Sequence, residues 1–143
     1  MARPDIELRP GEIVIHDGAM NRVVSKMNIQ GGSAYLTNQR FMRFKQSTGM
    51  QLLIGLFALL FRDKPDFEVE LGDIQSITRG KQGLNKNAIM MTLNDGTEYK
   101  LICNKFDQWI QGFADAYAAN GRYSFNDLGS EQWAIQSSTP PPV

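Results

Sequence analysis

Residues 88–103, "AIMMTLNDGTEYKLIC", run directly into residues 104–121, "NKFDQWIQGFADAYAANG", and this junction decides the fold. The first segment alternates with period two. Ile89, Met91 and Leu93 share one face, and Tyr99, Leu101 and Cys103 share the matching face of the return run. Between them "DG" at 95–96 predicts a hairpin with a type I′ turn. The period then changes to 3.6. Phe106, Trp109, Ile110, Phe113 and Tyr117 fall in one stripe of an amphipathic helix. Asn104 is its expected N-cap, Asp107 suits its positive end, and Gly121 its expected C-terminal stop. A helix stripe needs a sheet face to cover, so the pattern predicts an α+β domain.

Working upstream, "DFEVELGDIQSITRG" (66–80) alternates, with Phe67, Val69 and Leu71 against Glu68 and Glu70, and a further strand is expected near Gln75–Arg79. "GKQGLNKN" (80–87) reads as a loop. "GGSAYLTNQRFMRFKQ" (31–46) reads as a hairpin with a tight turn at Asn38–Gln39, where Asn tolerates positive φ. On its return strand Met42 and Phe44 share one face, and Arg43 and Lys45 share the other, taken as the solvent face. "EIVIHDGAMNRVV" (12–24) is β-branched and strand-like. Residues 1–10 read as a polar extension. Residues 121–143 show no sustained period and read as a tail, disordered over its last seven residues, with Trp133 and Ile135 available to dock it. No internal repeat is present.

The segments "GGSAYLTNQRFMRF", "FEVELGDIQSI" and "IMMTLNDGTEYKL", in that order, resemble the GRAM and bacterial PH-like domain families over roughly residues 11–120. The resemblance implies a strongly bent antiparallel β-barrel of about seven strands, capped by one C-terminal α-helix. It also implies a module that binds lipid or protein through one end of the barrel. Two departures from a minimal pattern stand out: an apolar insertion at 47–65, between the third and fourth core strands, and the segment after the helix.

Composition narrows the function classes. The 143 residues carry 15 basic and 15 acidic side chains, so the net charge is zero and the basic excess usual for nucleic-acid binders is absent. One cysteine excludes an intramolecular disulfide framework and a cysteine metal cluster. The N-terminal residues lack the apolar core of a signal peptide. The reading is therefore cytoplasmic, with a peripheral membrane role as the alternative. His16, the one histidine, has no partner motif, and Cys103 falls on an inward face, unlike a reactive thiol. Neither "GG" nor "GKQG" opens a phosphate loop. No acid–base set, cofactor site or metal site assembles, so the chain reads as non-enzymatic.

The interaction signal lies in "MQLLIGLFALLFRDKP" (50–65). Residues 50–61 are too short to span a bilayer, which needs roughly 20 apolar residues. As a helix, Gln51, Gly55, Ala58 and Arg62 would form one thin face. Leu52, Leu53, Leu56, Phe57, Leu60 and Phe61 would populate the rest, and such a helix must be surrounded. Three fates follow: packing on the outside of its own barrel, packing against copies or a partner, or dipping into a bilayer. In the last case Arg43, Lys45, Arg62 and Lys64 are candidate contacts for anionic headgroups. The thin polar face favours protein over lipid.

Overall fold

The computed structural model describes residues 8–45, 65–82 and 85–137. Its strands are β1 (Val14–Ser25), β2 (Asn28–Gln30), β3 (Gly32–Thr37), β4 (Arg40–Lys45), β5 (Phe67–Glu70), β6 (Ile74–Gln82), β7 (Asn85–Leu93) and β8 (Glu98–Cys103). The helix α1 (Phe106–Asn120) follows, and β9 (Tyr123–Gly129) and β10 (Gln132–Ser137) end the described chain. All strand pairings are antiparallel, and the order is β5-β4-β3-β1-β8-β7-β6-β10-β9, with β2 beside β1.

Strand β1 belongs to two halves of this sheet. It pairs with β3 through Ala19 and with β8 from Met20 onward. The change of partner bends the sheet around one core, where Leu36, Phe41, Ile77, Ile89, Leu101 and Phe113 are fully buried. The alternation expected for 88–103 and 66–71 holds: Ile89, Met91, Leu101 and Cys103 point inward, as do Phe67, Val69 and Leu71. Cys103 is buried, and its thiol is pushed up to about 11 by that burial. The helix stripe closes the core, with Phe106, Trp109, Phe113 and Tyr117 buried and the Tyr117 hydroxyl donating to the Leu71 carbonyl at 2.8 Å.

Several expectations are corrected. Among the described residues the sheet does not close into a barrel, and ten strands stand where about seven were expected. The extra strands are the short β2 and the β9–β10 hairpin. That hairpin takes the outer edge of β6, satisfying backbone groups that an edge strand leaves unpaired. Residues 123–137 are therefore part of the sheet rather than a tail, and the helix is not the last element. Trp133 stacks nearly parallel on Phe125 at 6.0 Å and lies 6.0 Å from Phe106. Residues 138–143 lie outside the described residues, as do 1–7 and 46–64.

The turns differ in detail. At 93–97 the Gly96 amide donates to Leu93, and only Gly96 adopts positive φ, at 91°. This is a type I turn followed by a left-handed glycine, not a type I′ turn, so Asp95 escapes the left-handed region and its carboxylate accepts from the Thr97 amide. A two-residue turn with left-handed central residues occurs instead at Ser130 and Glu131, φ 55° and 58°. The 80–87 loop shrinks because β6 and β7 pair as far as Gln82–Asn85. Lys105, rather than Asn104, occupies the helix N-cap, while Gly121 terminates the helix at φ 78° as expected.

Candidate functional site

The "LTNQR" turn (36–40) holds one end of the β3–β4 hairpin. The Thr37 hydroxyl accepts from the Gln39 and Arg40 amides, both at 3.0 Å, which sets the turn without positive φ at Asn38. Thr37 also donates to the Glu12 carboxylate at 2.7 Å. Arg40 grips the same carboxylate with two bonds, of 2.8 and 3.0 Å, and reaches Glu68 at 2.6 Å. Burial pushes the Glu12 carboxyl up, but the hydrogen bonds from Arg40 and Thr37 outweigh it and hold the group below its ordinary value. Asn38 exchanges hydrogen bonds with Ile13 and Gly11, and Asn120 of α1 donates to the Asn38 carbonyl. These contacts tie residues 9–13, the turn and the helix end together. They give this turn a structural role.

The other end of the hairpin is where residues 46–65 leave and rejoin the sheet. Asp66 sits at this re-entry, its amide donating to the Arg43 carbonyl. The Asp66 carboxylate accepts from Arg43 at 2.7 Å and from Arg22 at 3.1 Å, with Lys45 at 3.8 Å. Burial raises the Asp66 carboxyl, and the bonds from Arg22 and Arg43 more than reverse that, leaving it below its ordinary value. Arg22 also lies over the rings of Phe67 and Tyr99, at 5.5 and 5.1 Å, and those rings stack on each other at 3.9 Å. Such stacking orients the guanidinium toward Asp66.

Arg43 is not the exposed headgroup contact expected from the sequence. Its side chain is fully buried, and besides Asp66 it donates to the carbonyls of Met20, Gln30 and Gly31. It shares the inner face of β4 with Phe41. Gly32 makes this seat possible, because a Cβ there would lie 2.1 Å from the Phe44 carbonyl oxygen and 2.9 Å from the Arg43 guanidinium. Lys45 does face solvent, with its side chain 58% exposed. Leu52, Leu53, Leu56, Phe57, Leu60, Phe61, Arg62 and Lys64 lie outside the described residues.

With Arg43 turned inward, alternation puts Tyr35, Met42 and Phe44 on the outer face of β3 and β4. They form a cluster separate from the core, with Tyr35 and Phe44 edge to face at 5.8 Å. The sequence pattern named this face apolar but assigned it to the inside.

Two clefts are lined by described residues. One of about 520 Å³ lies against Arg9, Asn38, Glu70, Asp73, Arg122 and Tyr123, where Arg9 is already held by Glu70 and Asn38 by the residue 11–13 backbone. The other, about 190 Å³, contains His16 and Trp109, with the rings edge to face at 4.5 Å. Burial lowers the pKa of His16. Among the described residues no group of three His, Cys, Asp or Glu side chains could hold a metal ion. No described helix is long and apolar enough to cross a membrane.

No family model matches the chain, and no curated protein does. Solved structures do match. The C-terminal domain of an unknown protein from Leishmania infantum aligns with TM-score 0.55 and 14% identity, covering 76% of this chain and 87% of that one. The Slm1-PH domain in complex with phosphoserine aligns with TM-score 0.51 and 12% identity, over 76% and 96%. The fold is PH-like. The N-terminally truncated linker-DH/PH domains of p115-RhoGEF align with TM-score 0.50 and 10% identity over 77% of this chain, but only 29% of that longer protein. At these identities the likeness concerns the fold alone.

Proposed function

We propose that this chain is a non-enzymatic, GRAM-type PH-like binding module. It works through protein–protein contact or self-association, using the apolar stretch 50–61. One observation carries the reading: the stretch is inserted between β4 and β5, whose ends are pinned together by the buried Arg43–Asp66 pair. A run rich in Leu and Phe, mounted on a rigid base, suits a contact surface. Each such side chain buried contributes roughly 1.5–3 kcal/mol, so partial burial of Leu52, Leu53, Leu56, Phe57, Leu60 and Phe61 is ample for association. Leu56→Asp or Phe57→Asp is expected to lower the particle mass in light scattering or to abolish partner binding. Unchanged mass together with unchanged binding refutes this function.

The second reading is a peripheral membrane module that meets anionic lipid with the same stretch. It is favoured by the exposed Lys45 ammonium just before the insertion, with Arg62 and Lys64 following the apolar run in the sequence. Arg43 drops out of that contact set because it is buried and paired. The inositol phosphate and phosphoserine named for the Slm1-PH complexes suggest anionic lipid as the first probe. Sedimentation with phosphatidylserine vesicles against neutral vesicles separates the two readings. Pelleting with the anionic vesicles alone supports the membrane, and pelleting with neither removes it.

A further inference from the structure

We propose that the cleft between β1 and the start of α1 is a binding site for a carboxylate. Two independent features meet there. The first is the helix end. Lys105 gives α1 no side-chain cap, and among the described residues the amides of Phe106, Asp107 and Gln108 have no hydrogen-bond partner. Such an end carries about half a positive charge and unsatisfied donors, which suits an anion.

The second feature is Trp109. It is 2% exposed and packs edge to face on His16 and Phe41, at 4.5 and 6.1 Å. Its indole N–H nevertheless has no partner among the described residues. A buried indole N–H ordinarily finds one. The ring edge that carries Nε1 lies toward Gly18, where a Cβ would stand 3.9 Å from that nitrogen. With only hydrogen at Gly18, the donor opens into the cleft that both residues line together with Asn104, Lys105 and Gln108.

Charge selects the anion. Lys105 supplies the one full cation among the described lining residues, and His16, its pKa lowered foremost by burial, is uncharged near pH 7. Asp17 also lines the cleft, although strand pairing sets it beside Tyr35, while His16 lies beside the buried Leu36. Asp107 stands in the first turn of the helix. A phosphate monoester, with about 1.5–2 negative charges, exceeds this balance, whereas a carboxylate matches it. A carboxylate also has lone pairs enough to accept from the helix amides and the indole N–H together. The cleft, about 190 Å³, is smaller than the roughly 300–1,000 Å³ of sites for drug-sized ligands, so it takes a carboxylate with few attached atoms. The site contains no residue of the stretch 50–61, so it stands or falls apart from the function proposed above.

Nuclear magnetic resonance of the full chain labelled with nitrogen-15 tests the proposal. Sodium acetate is expected to shift the Trp109 indole N–H and the amides of Phe106, Asp107 and Gln108 together, saturating with one dissociation constant. No saturable shift beyond that given by sodium chloride at equal ionic strength refutes the site. Inorganic phosphate is expected to bind more weakly, and phosphate acting at lower concentration than acetate overturns the choice of carboxylate. Gln108→Glu, an exposed change that suits the helix end but repels an anion, should weaken acetate binding about fivefold or more without lowering the urea midpoint. Trp109→Phe, which keeps a ring and removes the N–H, should also weaken it, read from the three amides. Acetate affinity unchanged in the folded Gln108→Glu chain overturns the proposal, whatever the stability of Trp109→Phe. An N-acetylated Gly-Gly-Ala peptide separates the sources of the carboxylate. Tighter binding than acetate, lost when the peptide is amidated, supports the site with a chain end as ligand. Binding no tighter than acetate supports it with a small acid. Equal binding of the acid and the amide shows that the carboxylate is not recognised and overturns the proposal.

Discussion

Arg40 and Arg43 lie three residues apart on β4, both are buried, and their surroundings are opposite in balance. Arg40 is held by two carboxylates, Glu12 and Glu68, with Arg9 and Glu70 extending the network. The carboxylates outweigh desolvation and raise its pKa. Among the described residues Arg43 has one carboxylate, Asp66, which it shares with Arg22 and Lys45, and there burial wins and lowers the pKa. One end of the hairpin has acid to spare, and the other has base. The acid-rich end ties turn, helix and N-terminal segment into one block. The base-rich end depends on one aspartate standing where the insertion rejoins the sheet.

The comparison breaks most readily at Arg40. Arg40→Met leaves the Glu12 carboxylate, whose side chain is wholly buried, without its cation, and is expected to cost about 3–5 kcal/mol in urea unfolding. Gly32→Ala, at the opposite end, forces the Phe44 carbonyl and the Arg43 guanidinium apart and is expected to cost about 1–3 kcal/mol. Arg43→Met should cost less than Arg40→Met, about 1–2 kcal/mol, because Asp66 keeps Arg22 and the apolar side chain fills the seat. If Arg43→Met proves the costlier, the assignment of strong and weak ends is reversed. Lys45→Ala, exposed and 3.8 Å from Asp66, should change stability by less than about 0.5 kcal/mol.

Acid sharpens the same contrast. Glu12 and Asp66 both have folded pKa values below their ordinary 4.5 and 3.8. Their stabilisation is complete above those ordinary values and is lost as pH falls through the lowered folded ones. Urea midpoints measured downward from pH 5 should therefore fall. Glu12→Gln should start lower at neutral pH and fall less steeply, and a slope identical to that of the parent chain would contradict the role given to Glu12.

The hairpin at 88–103 and the helix stripe were legible because each buries one face only, which is what periodicity reports. Arg43 was not. When both faces of a strand are covered, alternation no longer says which is inside, and an arginine beside Met42 and Phe44 reads as the solvent side. The missing signal was pairing: Arg43 needs Asp66, across the whole insertion. The β9–β10 hairpin did leave a trace, in Tyr123 and Phe125 against Trp133 and Ile135, all partly buried against the core. Its Ser130–Glu131 turn lacks the Asn-Gly or Asp-Gly signature, so the two short runs were not joined. For the site, the sequence located the insertion and Lys45 as features of one end. It could not show that "LTNQR" serves the opposite end as a structural tie.

The Arg43–Asp66 contact also has a meaning for chain entropy. Lengthening a connection of about four residues to about twenty raises its closure cost by only about 1.4 kcal/mol. A buried ion pair at the two roots of that connection can offset a cost of this size. The β4–β5 junction is thus a place where the sheet tolerates a long insert with little penalty, and where inserts of other lengths and compositions could be exchanged without redesigning the domain beneath them.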